Sequence, residues 1–316
     1  MNRNSHSISH GILKTKPWAA SSVGRAPRSQ CGGRGFESHA VHQPSLLGSG
    51  LCGSPDLSND DLILRAQLEK MQRDWDQRAR ENAFFYVNTE RENWTEDDFY
   101  ASGELFIEEH ILNDQHNIFQ GRDPKKMRII EIGCGVGRLT RALAKVFGEV
   151  HAVDVSGEMI SRAREKLAGV PNVHLYQNNG RDLDVLPRTK YDFACSMIVF
   201  QHIPSFDVIE SYIRDTGRLL RDGALFKFQV QGGCEELPTA DDTWNGVSFT
   251  QELARIVANR NGFELRYDHG AGDQYYWLWF FRQPWQVRWK ADVKRSVKWQ
   301  LIQWFGKAGV ARWTRK

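Results

Sequence analysis

Glu131-Ile132-Gly133-Cys134-Gly135-Val136-Gly137-Arg138 decides how this chain of 316 residues is read. The apolar run from Met127 to Ile132 predicts a strand, and it passes directly into three glycines at alternate positions. Leu139, Leu143, Val146 and Phe147 then fall at helical spacing, so the order is strand, glycine loop, helix. Glycines tolerate positive φ and carry no Cβ, which lets the backbone of such a loop approach a ligand closely. The dinucleotide fingerprint G-x-G-x-x-G would need glycine at 138, where this chain has Arg138. The pattern present is G-x-G-x-G, with Glu131 two places before the first glycine.

Downstream, strands and helices alternate. Strands are predicted at Val150 to Val153, Val173 to Tyr176, Tyr191 to Val199 and Ala224 to Val230. Helices are predicted at Met159 to Leu167, from beyond Ser205 through Leu220, and near Gln251 to Ala258. Phe263 to Tyr267 and Tyr275 to Phe281 are separated by a loop too short for a crossover helix, so they should pair antiparallel. The expected fold is α/β: a Rossmann-like, seven-stranded, mostly parallel sheet with an antiparallel terminal hairpin and helices on both faces. Polar groups stand at successive strand exits. Asp154 ends the second strand, where a carboxylate can cap a helix or accept two hydrogen bonds from vicinal hydroxyls. Asn179-Gly180 follows the third, a dipeptide that also makes ordinary tight turns. Ser196-Met197-Ile198-Val199-Phe200-Gln201-His202-Ile203-Pro204 closes the fourth.

These motifs, over roughly residues 125 to 282, resemble the class I methyltransferases that use S-adenosylmethionine, of the type acting on small molecules. The resemblance implies S-adenosylmethionine as cofactor, with Gly133, Gly135 and Gly137 forming its loop. It places Glu131 near the methionine ammonium, unless that carboxylate only caps the loop. Asp154 is implied at the ribose, and Asn179 and Gly180 at the adenine edge. Met159 is implied against the adenine face, the alternative being helix core. Met197 is implied at the methionine end. His202 is a candidate base for a protonated acceptor; its other reading is a loop held by hydrogen bonds. Methyl transfer from a sulfonium is a direct displacement, so alignment and a dry pocket are the protein's main contributions. The Asp/Asn-Pro-Pro-aromatic sequence of DNA amino-methyltransferases is absent, so DNA is not expected as acceptor. The expected acceptor is a small molecule, free or linked to a lipid or glycan, methylated on oxygen or nitrogen. Two alternatives remain at this point: a nicotinamide-dependent dehydrogenase, and a non-catalytic cofactor-binding scaffold of the same fold.

An apolar fraction of 41% is that of an ordinary globular protein. The net charge of +3 hides an uneven distribution: residues 284–316 carry nine Lys or Arg against Asp292, and residues 1–60 carry +3, which leaves −8 between them. Five cysteines show no metal-ligand spacing, so neither a metal site nor a disulfide framework is expected, and a reducing, cytoplasmic setting is. Four segments are expected. Residues 1–58 read as a disordered extension, within which residues 21–38 resemble a mistranslated tRNA gene. Residues 59–122 are a helical cap, with Leu64, Leu68, Met71, Trp75 and Ala79 at helical spacing and a second helical segment from Trp94 to Leu112. Residues 123–283 form the cofactor domain. Residues 284–316 form a basic aromatic tail in which Trp285, Trp289, Val293, Val297, Leu301, Trp304 and Phe305 alternate with Lys290, Lys294, Arg295 and Lys298. Such a helix fits peripheral contact with an anionic membrane at the inner face, or packing on the body or a second subunit.

Overall fold

The computed structural model describes residues 59–233, 243–244, 246–291, 293–294 and 296. The N-terminal extension and most of the basic tail therefore lie outside the described residues.

One seven-stranded sheet forms the body, built from β1 (Arg128–Ile132), β2 (Glu149–Asp154), β3 (Val173–Gln177), β4 (Tyr191–Ser196), β5 (Leu220–Val230), β6 (Phe263–His269) and β7 (Tyr276–Arg282). Their order is β3-β2-β1-β4-β5-β7-β6. The first five strands pair in parallel, and β7 runs antiparallel to both β5 and β6. The reversed terminal hairpin expected from the short loop is present. It also removes the dehydrogenase alternative, whose strand order continues in parallel beyond the fifth strand.

Apolar stripes fix where the helices sit. Helices α4 (Arg138–Val146) and α2 (Glu96–His110) bury Leu139, Leu143 and Ile107, with Ile111 just past the end of α2, on the sheet face that carries Ile129, Val150 and Phe193. Helices α6 (Phe206–Leu219) and α7 (Gln251–Arg260) bury Ile209, Ile213, Val257 and Ala258 on the opposite face, against Ile130, Ala194 and Phe226. Each buried Ile, Leu or Phe removes enough apolar surface from water to contribute roughly 1.5–3 kcal/mol. Short helix α3 (Gln115–Phe119) follows α2. Side-chain caps start the helices: the hydroxyls of Ser205 and Thr250 accept from the N–H of Val208 and Leu253.

Helix α1 (Asn59–Val87) is longer than the sequence pattern suggests. Its backbone breaks at Asn82, where φ is −161° and ψ is 84°. The Asn82 side chain then caps the final turn by accepting from Phe85 N–H at 3.1 Å. Helix α5 (Gly157–Lys166), α1 and α2 enclose a third small core of Ala79, Ala83, Phe99, Tyr100, Val136 and Met159.

Two boundaries differ from expectation. Strand β4 stops at Ser196 rather than Val199, because Ile198 adopts φ +59° and turns the chain into a single 3-10 turn over Phe200–His202. Strand β5 begins at Leu220, immediately after α6, so the Arg221-Asp222-Gly223 turn is an irregularity inside the strand; its register against β4 shifts between Tyr191 and Phe193.

Candidate functional site

The carboxyl ends of β1, β2, β3 and β4 converge beneath α1, and the sequence motifs lie there. Gly133 and Cys134 both donate N–H to the carbonyl of Val153, which ties the glycine loop to the end of β2. Gly133, Gly135 and Gly137 have φ of +80°, +54° and +85°. A Cβ on Gly133 would lie 2.3 Å from Val199 Cγ2, and one on Gly135 would lie 2.8 Å from Val87 Cγ2. Only glycine satisfies both the conformation and the close approach.

Asp154 reaches back across the loop. Its Oδ2 accepts from Gly135 N–H at 2.8 Å and its Oδ1 from Ser156 N–H at 2.9 Å. Burial pushes this carboxyl above its ordinary range, and the two N–H donors oppose that shift. Glu131, on the neighbouring strand, is 3% exposed and its Oε2 meets no hydrogen-bond partner among the described residues. Burial raises its carboxyl to about 7, opposed first by the Thr140 hydroxyl and then by the positive charge of Arg138. An orphaned acidic oxygen beside a glycine loop is a place for a cationic ligand group.

The remaining motif residues do not all face this convergence of strand ends. Met159 is 1% exposed and belongs to the core between α1, α2 and α5, so the helix-core alternative describes its position. Met197 packs with Cys134, Leu139 and Cys195 on the α4 side of the sheet. Asn179 is exposed and its side chain is spent locally: Oδ1 accepts from Arg181 and Asp182 N–H, and Nδ2 donates to Asp182 at 2.9 Å. To reach a ligand it would have to leave this turn. Gly180, at φ +76°, does lie in the convergence, since a Cβ there would touch Val155 at 3.0 Å and Met71 at 3.1 Å.

His202 is buried and tied on both ring nitrogens. Nδ1 lies 2.6 Å from the carbonyl oxygen of Trp244, which can only accept, so Nδ1 carries the proton. Nε2 then accepts from the Gln201 side-chain amide at 3.2 Å. Gln201 in turn accepts from Gln229 at 2.9 Å. Trp75 stands edge-on to the imidazole at 5.4 Å between centroids and Trp244 lies at 5.0 Å, while the Arg78 guanidinium sits over both indoles at 4.7 and 5.3 Å. The result is an aromatic wall with one cation at the exit of β4.

Sequence reasoning missed three participants. Val155 faces Gly180, Val199 presses on Gly133, and Asp76 of α1 accepts from Ser156 Oγ at 2.6 Å and Glu158 N–H at 3.1 Å. Asp76 thereby caps α5 from a different helix. Local spacing gives no signal for Asp76 or Val199, whereas Val155 could have been found as the apolar residue directly after the strand-end acid.

Residues 129–223 match the family model described as a methyltransferase domain. A malonyl-[acyl-carrier protein] O-methyltransferase of Ilyobacter polytropus is 30% identical over 99 residues, 31% of this chain and 36% of that protein. A demethylmenaquinone methyltransferase of Staphylococcus aureus is 26% identical over 124 residues, 36% of this chain and 50% of that protein. The chain thus spans half or less of the length of these curated relatives. Among solved structures, the magnesium protoporphyrin IX methyltransferase of Synechocystis with bound SAM aligns at a TM-score of 0.46 and 15% identity, over 73% of this chain and all of that one.

Proposed function

We infer, from the match of residues 129–223 to a methyltransferase domain and from the seven-stranded sheet with its reversed terminal hairpin, that the protein transfers a methyl group from S-adenosylmethionine to a small-molecule acceptor, free or carried on a larger group. The observation that carries this reading is the pair of carboxyls at adjacent strand exits: Glu131 with an unpartnered buried oxygen, and Asp154 locked to the glycine loop. When bound, S-adenosylmethionine supplies the methyl group on a sulfonium, already activated for displacement. Glu131 holds the ammonium end, and Asp154 accepts from the ribose hydroxyls with the oxygen lone pairs not used by Gly135 and Ser156. The φ of the loop glycines lets the backbone lie against the ligand, and Val155 with Gly180 flanks the base. Helix α1 covers the strand ends and excludes water. His202 keeps its Nδ1 proton on the Trp244 carbonyl and thereby holds Trp244 at the acceptor side; that tether, rather than proton abstraction, is its role here.

The relatives' names speak for a carrier-linked acid and for a quinone precursor, which is why the acceptor is proposed as a small molecule or a carried one. Incubating the protein with tritiated S-adenosylmethionine and a fractionated cell extract tests this. Label should enter a fraction of low molecular mass or one released from carrier protein; label only in nucleic acid would overturn the proposal.

A peripheral membrane contact is proposed as well. Residues 285–291 are helical, and Trp285, Val287, Trp289 and Val293 are all exposed. Asp222 anchors the start of this helix by accepting from Trp285 N–H at 2.9 Å and pairing with Arg288 at 3.0 Å. Among the described residues no helix is long and apolar enough to cross a membrane. Flotation with anionic liposomes should carry the protein at low salt and release it at high salt; absence of binding at any salt would refute the contact.

A further inference from the structure

A polar cluster lies at the opposite end of β2, outside the machinery just described. Glu149 and His151 are two residues apart on β2, so their side chains leave the same face. Parallel register sets His151 opposite His174 on the edge strand β3, and Arg128 of β1 opposite Glu149. Three donors from two strands are thus brought together, and their ligand atoms lie within 4.8 Å of one another. Glu149 Oε1 is 2.8 Å from His151 Nε2 and 3.5 Å from His174 Nε2.

Those separations are close to those of a metal site. Two donors held at ~2.1 Å from a tetrahedral zinc ion lie about 3.4 Å apart; the 2.8 and 3.5 Å separations bracket that value, and the widest in the set, within 4.8 Å, has to close by at most about 1.4 Å to admit the ion. The surroundings are arranged for it too. Arg128 Nε occupies the other oxygen of Glu149, Oε2, which leaves Oε1 for the imidazoles. Tyr176 Oη lies 3.1 Å from His151 Nδ1. With Nε2 as the ligand atom, the ring proton sits on Nδ1 and is donated to that hydroxyl, the outer hydrogen bond that fixes ring orientation at metal sites. His151 is buried, with its side chain 4% exposed, whereas that of His174 is 43% exposed, so the fourth position opens to solvent.

We propose that Glu149, His151 and His174 form a binding site for a divalent zinc-type cation that clips edge strand β3 to β2. This departs from the expectation of no metal site, which looked only at cysteine spacing. Glu149 and Asp154 are five residues apart along β2, about 17 Å at a strand's rise, so the clip is separate from the methyl-transfer cleft.

The full chain, stripped with chelator, is titrated with Co(II) and Zn(II), following Co(II) visible absorption and calorimetric stoichiometry. One equivalent should bind, with ligand-field bands of low-coordinate Co(II) that Zn(II) abolishes. His174→Ala, at an exposed position, and Glu149→Gln should each weaken binding by at least about 10-fold, and Tyr176→Phe by about 10-fold. S-adenosylhomocysteine affinity and the circular dichroism of His174→Ala should match wild type, which separates loss of the site from loss of the fold. Absence of stoichiometric binding, or binding that His174→Ala and Glu149→Gln leave unchanged, would overturn the proposal; the latter places the ion on other histidines or cysteines.

Discussion

Glu131→Gln separates what this carboxyl does to the fold from what it does for the ligand. Glu131 is 3% exposed, Oε2 has no hydrogen-bond partner among the described residues, and burial raises the carboxyl from 4.5 to about 7. An acid whose folded value exceeds its unfolded value holds its proton more tightly in the folded state. Its stabilising contribution is therefore complete below about 4.5 and is lost as pH rises through about 7. At 1.36 kcal/mol per pH unit, that gap corresponds to about 3 kcal/mol. Ligand-free Glu131→Gln has no charge to bury, so at pH 8 it should be more stable than wild type by roughly 1–3 kcal/mol, and the difference should vanish near pH 4.5. The effect on binding should be opposite in sign. Losing the anionic partner of an ammonium costs about 1.5–3 kcal/mol, a 10- to 150-fold weaker affinity. Wild-type affinity should also rise between pH 6 and 8 as the carboxylate forms. Urea unfolding at pH 5 and 8 and calorimetry with S-adenosylhomocysteine measure both. A variant that binds as tightly as wild type would refute the ligand role, and one that is less stable at pH 8 would refute the burial argument.

Gly133→Ala should destabilise by at least about 2 kcal/mol, because φ +80° and the 2.3 Å approach to Val199 act together; adding Val199→Ala should recover only the steric part, as denaturant midpoints would reveal. Asp154→Asn should weaken S-adenosylhomocysteine by about 1.5–3 kcal/mol while the protein stays folded, since an amide oxygen can still accept from Gly135 or Ser156; calorimetry at fixed salt checks this. His202→Ala should raise the acceptor KM and cost about 1 kcal/mol of stability through the lost bond to Trp244, with kcat falling less than about 10-fold. A fall of about 100-fold or more at unchanged KM would reinstate the base. S-adenosylhomocysteine should slow amide exchange in residues 68–87, where Leu68 and Met71 lie against Gly180 and Val87 against Gly135; exchange indifferent to ligand would argue against α1 as the cover.

Features set by neighbours in sequence were legible. The glycine loop, the reversed terminal hairpin and the strand-end Asp154 depend on residues a few places apart, and the structure puts them where spacing suggests. Local spacing leaves alternatives open where a distant segment or the turn itself decides. Met159 is drawn into the core by Ala79 and Phe99, from helices 60 or more residues earlier, and the motif around it contains no trace of them. Asn179 follows its own turn, because a short polar side chain hydrogen-bonds the next backbone N–H groups more readily than it waits for a ligand. The pairing of His151 with His174 is a register fact, and register is fixed by how the whole of β2 and β3 align.

Ile198 shows how such a distant constraint reaches the site. A β-branched residue at φ +59° costs about 1–2 kcal/mol, and nothing in Ser196-Met197-Ile198-Val199 calls for it. The cost is sustained because both flanks are fixed. Before it, Ser196 is buried and its hydroxyl donates to the Ile132 carbonyl at 3.1 Å. After it, His202 is held by Trp244 and Gln201 by Gln229. Between these anchors the left-handed turn ends β4 early and drives Val199 onto Gly133, where no side chain other than hydrogen would fit. Strain at β4 and glycine in the loop after β1 are thus one constraint read from two strands.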